Sequence, residues 1–196
     1  MIFDEQPTDL DLVRGLLGEL HDDLNGRVNR FKYLAALDSD YAGIEGTMLF
    51  GGTPAFLAYQ EARSSYVNGN FVATVLLCQA LLENLLAAFL HAACAEVAPR
   101  PRLEQTLQEC RTLGLLTEQD EMDVLRLARQ RNPLTHYRSL DDVSHLDRRA
   151  MDTRTHPLSI IQDDARFAIT LVIRILGKAA FALGSRRADS KDRGNS

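Results

Sequence analysis

Residues 71–97 read FVATVLLCQALLENLLAAFLHAACAEV, and they decide the architecture. Gln79, Glu83, Asn84 and His91 interrupt the run, so no eighteen-residue stretch is free of polar groups. The segment therefore predicts a buried core helix rather than a membrane span. It is apolar nearly all round, which places it at the centre of a helical bundle. Gln79 and Glu83 lie four apart on one face, with His91 drifted to the side. A lone charge at Glu83 would be costly to bury, so it must meet a cation such as Arg166 or Arg174, or face an aqueous cleft.

On the N-terminal side, Thr8-Asp9-Leu10-Asp11 resembles a capping box. Leu10, Val13, Leu17, Leu20, Leu24, Val28, Phe31 and Ala35 then recur at spacings of three and four. This predicts one long helix over 9–37 with an apolar face. His21 sits beside Asp22 and Asp23 on a solvated face. Residues 38–52 hold four glycines and no period, which reads as a loop. Their GIEG and FGG match no phosphate-binding loop, because no G-K-[ST] follows. Thr53-Pro54 starts a second helix with Phe56, Tyr59, Ala62 and Tyr66 facing inward. Asn68-Gly69 stops it, and Asn70 caps the central helix.

On the C-terminal side, Ala98-Pro99-Arg100-Pro101 breaks the chain. A short helix follows with Leu103, Leu107 and Cys110 inward and Gly114 as its stop. Thr117-Glu118-Gln119-Asp120 caps another, with Met122, Leu125 and Ala128 or Arg129 facing in. Residues 140–156 read as a polar loop with one turn of helix. Ser159-Ile160-Ile161-Gln162 is a capping box for a last helix reaching Leu183. Arg166, Thr170, Arg174 and Lys178 form a polar stripe along it. The fold class is all-α, an antiparallel bundle of five or six helices in a single domain over 1–184, with a disordered tail over 185–196.

Composition narrows the function classes. The chain has 196 residues, enough for one domain with a sizeable core. Its net charge of −5 argues against wholesale coating of nucleic acid. The charge is uneven, however. Residues 126–156 hold seven arginines (126, 129, 131, 138, 148, 149, 154) against four aspartates, a local excess of +3 that leaves −8 elsewhere. A basic zone on an acidic body suits a short contact with RNA, or a solvated loop of mixed charge. Cys78, Cys94 and Cys110 show no C-x-x-C pairing and read as small buried residues of a protein kept in a reducing, cytoplasmic setting. The acidic start MIFDEQPTDLD lacks the basic and apolar regions of a signal peptide.

Residues 131–138 read RNPLTHYR. Pro133 has no N–H to donate and disfavours helix at Asn132. The incoming helix is therefore predicted to end near Arg131, with Asn132 capping a new turn that starts at Pro133. The break turns Arg131 and His136 toward one point beside a fresh helix N-terminus, where an anion is favoured. Arginine, asparagine, histidine and a helix start form a phosphate-handling group.

This pattern resembles the R-x4-6-H motif of the HEPN superfamily, in the form with Asn directly after Arg. The order of a short helix, LGLL, then a charged helix ending in RN-x-x-x-H also resembles HEPN chains. The resemblance covers about residues 70–183 and leaves the N-terminal helix and the 38–52 loop unexplained. HEPN proteins are small α-helical bundles; many are metal-independent endoribonucleases and others have lost catalysis. The resemblance implies RNA as substrate and no metal or cofactor, and the interrupted 71–97 run implies no membrane partner. It further implies a homodimer with the motifs of two subunits in one cleft, and an antitoxin or regulatory protein as possible partner, in toxin–antitoxin, stress or phage-defence systems. Glu83 stands where HEPN folds carry an acidic residue on a central helix near the motif arginine. Tyr137 follows His136 directly, whereas HEPN toxins paired with a nucleotidyltransferase antitoxin carry R-x4-H-x-Y.

In that chemistry the 2′-hydroxyl of RNA is the nucleophile. His136 is the candidate general acid/base, because histidine is the residue type suited to exchange protons at neutral pH. Arg131 offers a planar fork of donors to the phosphoryl oxygens. Asn132 holds the phosphate or orients His136, and Arg129, Tyr137 and Arg138 are auxiliary RNA-binding candidates with Glu83. The alternative is a catalytically inactive HEPN-like module that dimerises or binds a nucleotide or partner. The long apolar faces predict a homodimer whose two 131–138 segments face one groove lined by Arg129, Arg131 and Arg138.

Overall fold

A computed structural model describes residues 8–42, 46–93 and 101–181. Among them are eight helices and no strand: α1 (Asp9–Asp22), α2 (Leu24–Tyr41), α3 (Gly52–Val67), α4 (Phe71–Ala92), α5 (Leu103–Thr112), α6 (Glu118–Thr135), α7 (Leu146–Thr153) and α8 (Pro157–Leu176). The all-α expectation holds, and the helix count exceeds the five or six expected. The expected end of the central helix at Val97, the Pro99 break, Cys94 and the tail beyond 184 lie outside the described residues.

α4 is the axis of the bundle, packed by α3, α5, α6 and α8. It is long and apolar enough to cross a membrane by length and composition. Leu81, Leu82, Leu85, Leu86 and Leu90 are nevertheless fully buried within the bundle. Cys78 and Cys110 are buried too. Burial pushes the Cys78 thiol far up and the Cys110 thiol up to about 12, so neither is nucleophilic at neutral pH. Phe50, Phe89 and Phe181 meet edge to face at 5.5–5.7 Å and close one end of the core.

The single helix expected over 9–37 is two helices. Asp23 leaves helical geometry at φ −120° and ψ 20°, and caps neither end with its side chain. Its carboxylate instead curls over Gly26 to pair with Arg30. A Cβ at Gly26 would meet Asp23 Oδ1 at 2.1 Å, so glycine here makes room for the break. The apolar row Leu10–Ala35 does not enter the core. No residue of α1 is buried, and α2 buries only Leu34 and Leu37. The inner face of α2 is held largely by polar groups. Tyr33 Oη meets Thr170 Oγ1 at 2.7 Å, and Arg63 of α3 grips Asp38 through two bonds of 2.8 and 2.6 Å. These partners lie far along the chain, so an apolar count could not find them.

Helix starts divide between local and non-local control. Thr8 and Thr117 form reciprocal capping boxes with Asp11 and Asp120, as the sequence indicates. α3 starts from Gly51, at φ 98°, rather than from Thr53. It buries Ala55, Ala62 and Tyr66, while Phe56 is exposed. α8 is capped by His156, whose Nδ1 accepts from the Leu158 amide, with Pro157 as first helical residue. Ser159 is therefore not its cap, and the helix ends at Leu176 rather than Leu183.

α6 is rotated from its expected phase. Its buried residues are Asp120, Asp123, Val124 and Leu127, whereas Met122 is exposed. The cause is α8. Arg174 Nη2 pairs with Asp123 at 2.5 Å and with Asp120 at 3.4 Å, and Lys178 Nζ reaches Asp120 at 2.7 Å. Burial pushes the Asp120 carboxyl up, but hydrogen bonds from Lys178 and Thr117 outweigh it and leave it below its ordinary value.

The C-termini of α2 and α8 meet where Gly177 packs on Tyr41. Gly177 has φ −75°, so no conformational need selects glycine there. A Cβ would instead sit 2.5 Å from the carbonyl oxygen of Tyr41. Gly177→Ala is expected to destabilise the protein by about 1–3 kcal/mol through overpacking against backbone. Chemical denaturation would check this; an unchanged midpoint would mean that the two helix ends separate at no cost.

Candidate functional site

The 131–138 segment is the end of α6. The helix runs through Pro133 to Thr135, and the His136 amide donates to the Asn132 carbonyl at 3.0 Å. The expected break at Arg131, with Asn132 capping a new turn, does not form. A proline in the last turn removes only the bond to the Arg129 carbonyl, and Leu134 packs against the core to hold the turn in place. His136 is the C-cap, in extended geometry at φ −127° and ψ 135°. The site therefore sits at a helix C-terminus, not beside an N-terminus. Backbone carbonyls surround it, so side chains must supply any attraction for phosphate.

Arg131 continues the row of Val124 and Leu127, at spacings of seven and four, and is half-buried where that row leaves the core. Asn132 and Pro133 are also half-buried, while His136 and Arg138 are exposed and Tyr137 is 92% exposed. Among the described residues, the side chains of Arg131, Asn132 and His136 make no hydrogen bond or ion pair. Because the helix is unbroken from Arg131 to Thr135, positions 131 and 136 stand about 140° apart around its axis, and no contact joins the two side chains.

Arg129 belongs to another side. Residues two apart on a continuous helix lie about 200° apart, so Arg129 and Arg131 of one protomer cannot line one groove. Arg129 borders a surface depression with Gln119, Met122, Asp123, Leu125 and Arg126. A groove lined by Arg129, Arg131 and Arg138 would therefore have to draw these arginines from two protomers.

Glu83 also sits apart from the motif. It is exposed and accepts from Gln79 Nε2 at 2.9 Å. It borders a groove of 280 Å³ with Asn84, Ala87, Pro101, Leu103 and Thr106, to which residues 131–138 contribute nothing. The ion pair considered for it with Arg166 or Arg174 does not form. Arg166 lies over the Tyr33 ring at 4.3 Å, and Arg174 serves α6.

The basic zone is mostly committed to structure. Arg126 stacks on Phe167 at 4.1 Å, Arg148 pairs with Asp152 at 3.0 Å, and Arg138 lies 3.7 Å from Asp142. Arg149 of α7 clamps Asp164 of α8 through two bonds, Nη1–Oδ2 at 2.6 Å and Nη2–Oδ1 at 2.8 Å. Gln130 Nε2 donates to the same carboxylate at 2.5 Å. Asp164 is buried, so this three-way contact ties the residue next to Arg131 to both α7 and α8. The sequence gives Asp164 only a favourable place near a helix start, because its partners lie 15 and 34 positions away. No group of three or more His, Cys, Asp or Glu side chains converges as a metal site among the described residues.

Compared with family models, with curated proteins and with solved structures, the chain has no match.

Proposed function

We propose that the chain is a HEPN-like endoribonuclease acting at Arg131, Asn132 and His136. What supports this reading is the contrast within the basic zone. Four of its seven arginines are held by an aromatic ring or a carboxylate; among the described residues Arg129, Arg131 and Arg154 are not, and of these Arg131 is the one on the same helix end as His136, which also has no partner. An arginine and a histidine five positions apart, neither committed to a protein partner, are the groups that phosphoryl transfer without a bound group would use.

In the proposed reaction the 2′-oxygen attacks the adjacent phosphorus and loses its proton to a histidine. The P–O5′ bond breaks and the leaving oxygen takes up a proton. The products are a 2′,3′-cyclic phosphate and a 5′-hydroxyl. Arg131 neutralises the charge that grows on the non-bridging oxygens. One histidine per protomer serves one proton transfer at a time, so a homodimer sharing the cleft would divide acid and base work between two His136 side chains. The partners in this reading are RNA, a second copy and an antitoxin or regulatory protein, in the cytoplasm, without a metal or cofactor.

Arg131→Lys tests the role of the fork. Lysine keeps the charge and loses the paired donors, so cleavage is expected to fall by roughly 10- to 100-fold while folding is retained. A lysine variant that cuts as fast as the parent would reduce Arg131 to a screening charge. The second reading is a catalytically inactive module that dimerises or binds a nucleotide or partner. It is favoured by the helix continuing through the motif, which removes the N-terminal anion site. Nucleotide binding without cleavage by the well-folded parent would select it.

A further inference from the structure

We propose that α1 and the outer face of α2 form an antiparallel arm that pairs two copies of this chain about a two-fold axis between Leu20 and His21. The arm carries an apolar row along its whole length, and that row is open. Leu17 is 60% exposed, Leu24 52% and Phe31 63%, and α1 buries nothing. α2 is thus two-faced. One side enters the core through Leu34 and Leu37, and the other presents Leu24, Val28 and Phe31 outward.

Three observations select a second copy as the occupant. First, the row is symmetric. Leu10 and Phe31, Val13 and Val28, and Leu17 and Leu24 lie at equal distances on either side of the point between residues 20 and 21. A two-fold axis there sets these three pairs opposite each other, as an isologous contact requires, while Leu12, Leu16 and Leu20 meet Asn29, Asn25 and His21. Second, the charge at the outer end of the arm favours that direction. α1 carries four carboxylates and one arginine, whereas residues 24–37 carry Arg27, Arg30 and Lys32 and no carboxylate. Antiparallel pairing sets Asp9 opposite Lys32, while Arg27 and Arg30 are engaged within their own protomer by Asn68, Asp23 and the Val67 carbonyl, and the inner positions place Arg14 by Arg27 and Glu19 by Asp22. Parallel pairing would lay acid on acid. Third, the area suffices. Nine large apolar side chains between Leu10 and Phe31 are 42–64% exposed. They span roughly 30 Å of helix and approach the ~800 Å² per partner of a stable interface, beyond the open apolar patch of an ordinary monomer.

This pairing does not rest on the RNA chemistry: it would persist in a His136→Ala protein, and mass rather than cleavage reads it. Sedimentation equilibrium of the full chain at about 10 μM is expected to give twice 21.9 kDa. Leu17→Glu with Leu24→Glu is expected to give the monomer mass with unchanged helical signal, since neither side chain enters the core. Disulfide trapping then tests the register in a Cys94→Ser background, where Cys78 and Cys110 are buried. Leu20→Cys is expected to link to itself across the axis. Leu10→Cys is expected to stay unlinked alone, its copies standing roughly 30 Å apart, and to link when mixed with Phe31→Cys. A monomeric parent, a dimer indifferent to the double substitution, or a self-linking Leu10→Cys would each overturn the proposal.

Discussion

His136→Ala is expected to reduce RNA cleavage by about 100- to 10,000-fold, the usual contribution of a positioned acid/base group, while the bundle stays folded. The separation of the two effects follows from position. His136 is an exposed C-cap whose side chain contacts no partner among the described residues, so its truncation should change stability by less than about 0.5 kcal/mol. Single-turnover cleavage of a labelled RNA, read beside thermal unfolding of the same preparation, checks both halves. Undiminished cleavage by a nuclease-free, folded variant would remove His136 from the reaction.

The largest stability effect is expected at the clamp beside the site. Arg149→Ala strands the Asp164 carboxylate, which has only 4% of its side chain exposed and retains one donor, Gln130. Removing one partner of a buried pair costs about 3–5 kcal/mol. Asp164→Asn is expected to cost less, because it leaves no buried negative charge and Arg149 can turn its partly exposed guanidinium to water. The pair Arg149→Met with Asp164→Leu is expected to recover most of the loss, as apolar replacements of buried ion pairs do. Urea unfolding of the cycle measures this order. Equal costs for the two single variants would show that water reaches Asp164. The clamp also fixes Gln130, so Arg149→Ala should lower cleavage through displacement of Arg131 even where the protein remains folded.

What the sequence reveals and what it hides follow the range of the interactions. The Thr8 and Thr117 capping boxes are legible because donor and acceptor lie three residues apart. The central helix is legible because almost every face of it is apolar. The phase of α6 is not, because Asp120 and Asp123 turn inward to meet Arg174 and Lys178, more than fifty positions away. An acidic face reads as solvated until its cations are known. The row from Leu10 to Ala35 shows the converse limit: periodicity finds an apolar face but does not say what covers it, and here the described core does not. Pro133 misleads for a local reason. The rule against proline weakens in a last turn, where the freed carbonyl lies near the helix end, so Arg131 and Asn132 stay helical and the expected anion site vanishes. The arginine and histidine of the motif remain together in the chain, but with different surroundings from those the sequence suggests.

The reading of Arg131 and His136 as a ribonuclease centre is tested most directly by incubating the purified full chain with transfer RNA and total RNA in excess EDTA, then analysing fragment ends. The expected result is cleavage by the parent that is absent with His136→Ala, leaving 2′,3′-cyclic phosphate and 5′-hydroxyl ends. Intact RNA after prolonged incubation with folded parent protein, or fragments bearing 5′-phosphates, would contradict it.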